Sequence, residues 1–121
     1  MLKEHTKPDC SEQWLTVTER KCRRIREMSL AYDLLHAELV DYGATHGGTF
    51  VLFGSMVRGG YHIGSDVDIL VDFPSDKEAD AWRFAEESCW NHQLKPDVRS
   101  VRYCNAKFLE MVKNAGEIRC G

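Results

Sequence analysis

Two aspartates separated by a single residue, Asp66 and Asp68, are the side chains of this chain best suited to chemistry. Residues two apart on a β-strand point to the same face of a sheet, with Cα atoms roughly 6.6 Å apart. Their negative charges repel each other, and a divalent cation held by carboxylate oxygens offsets that repulsion. Two solvent-facing aspartates at a sheet edge have the same spacing, so the pair alone does not establish a metal site.

A second feature, Gly54-Ser55, lies where a short apolar segment runs into a glycine-rich stretch. Glycine lets a phosphate approach closely, and the backbone N–H groups of such a turn and the Ser55 hydroxyl can donate hydrogen bonds to it. Alone, a Gly-Ser pair is an ordinary turn. A phosphate cradle beside an acidic pair is the apparatus of metal-assisted phosphoryl or nucleotidyl transfer.

The surrounding pattern predicts the elements that position these residues. The apolar run 49–53 indicates a central strand, the alternating run 66–73 a second strand, and 96–103 a third strand with Asp97 near its start. Capping boxes at Thr16 and Ser75 predict helices that end at Gly43 and near residue 91. Asn105 predicts the cap of a last helix, which closes near residue 116.

This order of elements predicts an α/β (α+β) fold, in which a small mixed β-sheet of three or more strands packs against helices. The 121 residues are enough for one domain, and 43% of them are hydrophobic. We expect that domain to span residues 16–121, after an N-terminal arm formed by residues 1–15.

Charge and composition exclude several classes of function. Lys and Arg number 16 against 19 Asp and Glu, a net charge of −3, which disfavours nonspecific nucleic-acid binding. No apolar run is long enough to span a membrane, and five scattered cysteines suggest neither a disulfide framework nor a zinc site, so we expect a cytoplasmic protein. The basic cluster within residues 20–26 fits a solvated helix face or a docking patch for an acidic partner or RNA.

The spacing Gly54-Ser55, ten residues, then Asp66-Val-Asp68 resembles the GS-x10-D-x-D signature of the polymerase β-like nucleotidyltransferase superfamily. The resemblance is closest to the minimal nucleotidyltransferases, which are encoded beside a HEPN-domain partner. It covers about residues 49–116 and the preceding helix, and Arg58 and Ser65 add agreement as nucleotide-binding positions.

The resemblance implies a role for each matched residue. Gly54 and Ser55 would hold the β and γ phosphates of a nucleoside triphosphate. Asp66 and Asp68 would bridge two Mg²⁺ ions. Asp97 would complete the second metal site and help to deprotonate the incoming hydroxyl. Two cations about 3.5–4 Å apart stabilise both the attacking and the leaving oxygen of an in-line displacement.

Two positions depart from the family pattern. Met56 stands where a basic residue is common, and Arg99 stands on the third strand where the family is often apolar. These departures concern phosphate contacts and sheet burial, whereas the set of three carboxylates is complete.

The resemblance further implies an antitoxin that transfers AMP from ATP to a hydroxyl, a tyrosine, of a cognate HEPN-type RNase toxin, with release of pyrophosphate. The short apolar runs and the negative net charge predict no membrane partner and no direct nucleic-acid partner. The alternatives are a small-molecule nucleotidyltransferase of the aminoglycoside type, a tRNA-modifying enzyme, and a noncatalytic antitoxin that neutralises its partner by contact alone.

Overall fold

The structure is a computed structural model of the chain and describes residues 16–54, 56–57, 66–114 and 116–121. In chain order, these residues form the elements α1 (Val17–His46), β1 (Thr49–Phe53), β2 (Asp66–Asp72), α2 (Glu78–Asn91), β3 (Lys95–Ser100), α3 (Ala106–Asn114) and β4 (Ile118–Cys120). A single 3-10 turn, Val101–Tyr103, follows β3. The N-terminal arm predicted for residues 1–15 lies outside the described residues.

The strands form one sheet in the order β3-β2-β1-β4. β1 pairs antiparallel with both of its neighbours, whereas β2 pairs parallel with β3. A parallel pair needs a crossover connection, and α2 supplies it. The mixed sheet packed with helices confirms the predicted fold class.

Helices cover both faces of this sheet. Successive side chains of a strand point to opposite faces. Phe50 and Leu52 of β1 therefore pack with residues of α1 and α2, whereas Val51 and Phe53 pack with residues of α3. All four side chains are buried. Burial on two sides explains why this central strand is apolar without alternation, as the sequence predicts.

The start of α1 is confirmed and its predicted end is wrong. The Glu19 N–H donates to Oγ1 of Thr16 at 3.0 Å, and the Thr16 N–H donates to Oε1 of Glu19 at 2.9 Å, which completes the capping box. The helix continues to His46, and Gly47, with φ +73°, is its left-handed cap.

Gly43, the predicted end, is buried inside α1 for a reason of packing. A Cβ at this position would lie 2.8 Å from backbone atoms of Gly48, Cys120 and Gly121. The missing side chain therefore admits the end of β4 against the helix. The local sequence does not distinguish a glycine that packs against another strand from a glycine that caps a helix. The prediction of the helix end failed for this reason.

Strands β2, β3 and β4 also differ from the predicted elements. The third strand ends at Ser100, because the Oγ of Ser100 accepts the Arg102 N–H at 3.2 Å and starts the 3-10 turn. β2 ends at Asp72 rather than residue 73. β4 is absent from the predicted elements, since three residues carry too little periodicity to be recognised.

Of the two caps predicted for the shorter helices, one is wrong and the other is confirmed. The capping box predicted between Ser75 and Glu78 is wrong: α2 begins at Glu78 behind Lys77, whose side chain makes no cap hydrogen bond. The Glu78 carboxylate instead accepts the Arg102 Nε–H at 2.9 Å. The cap at Asn105 is confirmed, since its Oδ1 accepts the Phe108 N–H at 2.8 Å.

Among the residues that the structure describes, no helix combines the length and the apolarity that crossing a bilayer requires.

Candidate active site

Strand β2 places its first two aspartates on the face of the sheet that α3 partly covers. Val67 and Ile69 point into the main core against α1 and α2, whereas Leu70 packs in the smaller cluster against α3. By the two-residue period of a strand, Asp66 and Asp68 share the face of Leu70. The prediction that Asp66 and Asp68 share one face is therefore confirmed. The opposite face of β2 is entirely apolar.

Asp97 joins this pair from the neighbouring strand. β2 and β3 run parallel, and Asp97 is the register partner of Asp68. Register partners on neighbouring strands point to the same face, so the carboxylates of Asp68 and Asp97 lie side by side. The Asp68 carboxyl group hydrogen-bonds to that of Asp97. The sequence thus identified all three acids of one surface, which we call the acid corner: Asp66, Asp68 and Asp97.

The surroundings of Asp68 disfavour its negative charge. Burial, the hydrogen bond with Asp97, and the negative charges of Asp97 and Asp66 raise the pKa of Asp68 from 3.8 to about 6, and Arg99 partly opposes this rise. When the pKa of a carboxyl group is raised in this way, a nearby cation stabilises its charged form. The acid corner is therefore an arrangement of charge that favours a positive ligand.

Gly54 closes the acid corner from β1. It follows Phe53, the register partner of Asp68, and has φ +89°. A Cβ built at Gly54 would overlap Oδ2 of Asp68. Both the backbone angle and the space therefore require glycine at this position. The other residues predicted to bind phosphate or nucleotide, Ser55, Arg58 and Ser65, lie outside the described residues.

Two basic side chains of β3, Lys95 and Arg99, lie against the acid corner. Of these two, only Arg99 was singled out in the sequence. Lys95 Nζ lies 3.8 Å from Oδ1 of Asp66, and Arg99 Nη2 lies 3.6 Å from Oδ2 of Asp97. The Arg99 guanidinium also stacks over the Phe108 ring of α3, 5.2 Å from its centroid. The two-residue spacing of Lys95, Asp97 and Arg99 could have identified Lys95, because it places all three on one strand face.

Carboxylate oxygens are the ligands that hard divalent cations prefer, so the donor set fits such an ion. Asp68 and Asp97 already converge, whereas Asp66 faces Lys95. Across residues 16–54, 56–57, 66–114 and 116–121, no group of three or more Asp, Glu, His or Cys side chains is arranged to hold a metal ion. A metal bound by all three acids would require the Asp66 carboxylate to turn away from Lys95.

Asp72, on the same face of β2, does not belong to the acid corner. It lies at the other end of the strand, where its Oδ2 is 3.8 Å from Nη2 of Arg119 on β4. Asp72 is thus a half-exposed acid with a basic partner of its own. Asp72 is therefore a matched control for the acids of the corner.

A separate groove of about 630 Å³ lies between α2 and the 3-10 turn. Trp82, Arg102 and Tyr103 contribute to its lining, and none of the three acids does. Both arginines that line this groove already have acidic partners: Arg83 lies 3.4 Å from Asp80, and Arg102 lies 2.9 Å from Glu78. The chemistry of the side chains places the candidate site at the acid corner instead.

Comparison with known families shows the family of the chain. Residues 37–118 match the family model for the nucleotidyltransferase domain, which is more than half of the chain. The chain belongs to the nucleotidyltransferase domain family. This match supports the polymerase β-like nucleotidyltransferase superfamily. No curated protein and no solved structure gives a significant match.

The matched span of this nucleotidyltransferase domain runs from the second half of α1 into β4 and includes the entire acid corner. The family generally uses a nucleoside triphosphate and a divalent metal ion. The basic cluster within residues 20–26 lies outside the match. One of its members, Arg24, donates to the backbone oxygen of Gln93 at 2.9 Å and so ties α1 to the turn after α2.

Proposed function

We propose that this nucleotidyltransferase domain transfers AMP from ATP to a tyrosine hydroxyl of a HEPN-type RNase toxin, and thereby acts as its antitoxin in the cytosol. The observation that carries the catalytic part is the convergence of Asp68 and Asp97 beside the backbone of Gly54. The nature of the acceptor rests on the resemblance to minimal nucleotidyltransferases.

Asp66, Asp68 and Asp97 are the residues that would hold Mg²⁺. The bound metal would neutralise the triphosphate and stabilise the attacking and leaving oxygens of the displacement. Gly54 lets the end of β1 lie directly against the Asp68 carboxylate, because a Cβ at this position would overlap Oδ2 of Asp68. A phosphate contact through the Gly54 backbone would therefore lie next to the acids that hold the metal. The predicted phosphate contacts of Ser55 belong to the same proposal.

In the proposed reaction, every bond formed or broken and the proton released can be accounted for. The acceptor oxygen forms a bond to the α-phosphorus, the bond from that phosphorus to the bridging oxygen breaks, and pyrophosphate leaves. The hydroxyl proton passes to the carboxylate of Asp97. The position of Asp97 beside Asp68 supports this role, because it places a second carboxylate where the metal and the acceptor hydroxyl would meet.

The acid corner is open enough for a large acceptor. The side chains of Asp66 and Asp97 are 49% and 38% exposed. A small substrate needs walls that enclose it, whereas a folded protein brings its own surface. This exposure favours a protein acceptor over an aminoglycoside.

The proposal is tested by incubating the chain with Mg²⁺, ATP labelled at the α-phosphate, and the HEPN-type protein encoded beside it. We expect label and the mass of AMP on the acceptor, and loss of both when the acceptor tyrosine is replaced by phenylalanine. Asp68→Asn should abolish transfer, whereas Asp72→Asn should retain it. An acceptor that binds tightly but keeps its mass would support the contact-only alternative and contradict the proposal.

A further inference from the structure

Helix α1 carries a second apolar strip on the side that faces away from the core. Its core side buries Met28, Tyr32, Leu35 and Leu39. Leu30 and Leu34, one turn apart, are 66% and 57% exposed, and Ala37 continues the strip. Together with the charged residues Arg23, Glu27 and Asp41, these three residues recur at alternating spacings of four and three, which is the spacing of a seam between two packed helices. The strip is therefore apolar at its centre and charged at its ends.

The charges at the two ends of this strip are opposite. The N-terminal half of α1 contains the basic residues Arg20, Lys21, Arg23, Arg24 and Arg26 and the acidic residues Glu19 and Glu27, a net positive charge, and the C-terminal half contains the acidic residues Asp33, Glu38 and Asp41. Within the helix, Arg23 Nε lies 3.7 Å from Oε2 of Glu27. Arg23 and Asp41 occupy seam positions on either side of the two leucines. A partner that fits this strip must therefore present an apolar centre, an acidic group near Arg23 and a basic group near Asp41.

We propose that the partner is a second copy of this chain, which pairs its α1 antiparallel to the first about a two-fold axis. With Leu30 opposite Leu34 of the second copy, the same register places Arg23 opposite Asp41. Both contacts occur twice, as an isologous interface requires. Parallel pairing would instead place Arg23 against Arg23 and Asp41 against Asp41, so the charges select the antiparallel orientation.

The position of α1 in the fold is compatible with this dimer. α1 and α2 cover one face of the sheet, and the acid corner lies on the other face, which α3 partly covers. Pairing through the outer side of α1 therefore leaves both acid corners accessible. The dimer is independent of the proposed function, and either can fail while the other holds.

The test measures the mass of the full chain in solution by sedimentation over a concentration series from micromolar to millimolar. We expect a monomer–dimer equilibrium. Leu30→Glu and Leu34→Glu should each weaken dimerisation at least about tenfold, because each removes apolar burial from both halves of the interface. Met111→Glu is the matched control, since Met111 is 52% exposed but lies on α3. Circular dichroism of each variant should show a native melting curve, because the replaced side chains lie on the surface.

A charge exchange tests the orientation. Arg23→Glu and Asp41→Arg should each weaken the dimer, and the double variant should recover most of the loss, which parallel pairing does not allow. A native chain that stays monomeric throughout the series overturns the proposal. So does a loss of toxin binding in Leu34→Glu without any change in self-association, because the strip would then belong to that other partner.

Discussion

At the scale of single residues, the ionisation of Asp68 has the clearest effect on the stability of the fold. Its pKa is raised to about 6 in the folded chain from 3.8, so its charge is less favourable in the folded than in the unfolded state. In the absence of metal, the stability that this group contributes is complete below pH 3.8 and is lost as the pH rises through about 6.

We therefore predict that Asp68→Asn raises the melting temperature of the metal-free chain above pH 6, and that this difference disappears near pH 4. Thermal melts followed by circular dichroism across this pH range provide the measurement. Asp72→Asn is the control, because its exposed ion pair with Arg119 contributes little. A variant Asp68→Asn that melts below the native chain at pH 8 would contradict this account.

Gly54 gives a second prediction at this scale. Gly54→Ala and Gly116→Ala both force an alanine into a positive φ, at +89° and +96°, which costs roughly 1–2 kcal/mol. Only the first also overlaps the Asp68 carboxylate, because nothing lies within 4 Å of a Cβ at Gly116. We expect Gly54→Ala to lose nucleotidyl transfer and Gly116→Ala to retain it. Equal transfer by the two variants would show that Gly54 is only a turn residue.

At the scale of elements, Gly43 is the contact through which α1 accommodates β4. In an exposed helix, replacing glycine by alanine stabilises by about 1 kcal/mol. Here the Cβ would meet immobile backbone of β4 and of the loop before β1, so Gly43→Ala should destabilise the fold by about 1–3 kcal/mol. Urea unfolding measures both this variant and the control Ala44→Gly, which should lose only the helix propensity. A more stable Gly43→Ala variant would refute the packing explanation.

The elements also show what could be predicted from the sequence. The caps at Thr16 and Asn105 and the alternation of β2 are local signals, and the structure confirms them. Gly43 packs against β4, which is distant from it in the sequence, so no local pattern reveals the role of Gly43 or the presence of β4. In the candidate site, Asp66 and Asp68 were recognisable by their spacing and Asp97 by the family resemblance. The ion pair between Lys95 and Asp66 requires the strand register.

At the scale of the whole molecule, the helices on both faces of the sheet divide the cysteines into two classes. Burial raises the pKa of the Cys89 thiol to about 12 and that of Cys120 to about 11. Cys22 is exposed and Cys104 is half-buried. Reactivity follows the thiolate and its access to solvent.

We predict that a neutral alkylating reagent modifies Cys22 first and Cys104 second in the native fold, and modifies Cys89 and Cys120 only on unfolding. Peptide mass mapping of a Cys10→Ser variant, which removes the one cysteine outside the described residues, provides the measurement. Rapid modification of Cys89 under native conditions would contradict the packing of α2 against the core.

The central claim is that the acid corner binds a metal–nucleotide complex. Calorimetric titration with a nonhydrolysable ATP analogue, with and without Mg²⁺, tests it most directly. The native chain and Asp72→Asn should bind the analogue only with Mg²⁺, whereas Asp68→Asn and Asp97→Asn should each bind at least about tenfold more weakly, because each lacks one charged ligand of the cation. Undiminished binding by Asp68→Asn, or an equal loss in Asp72→Asn, would contradict the claim.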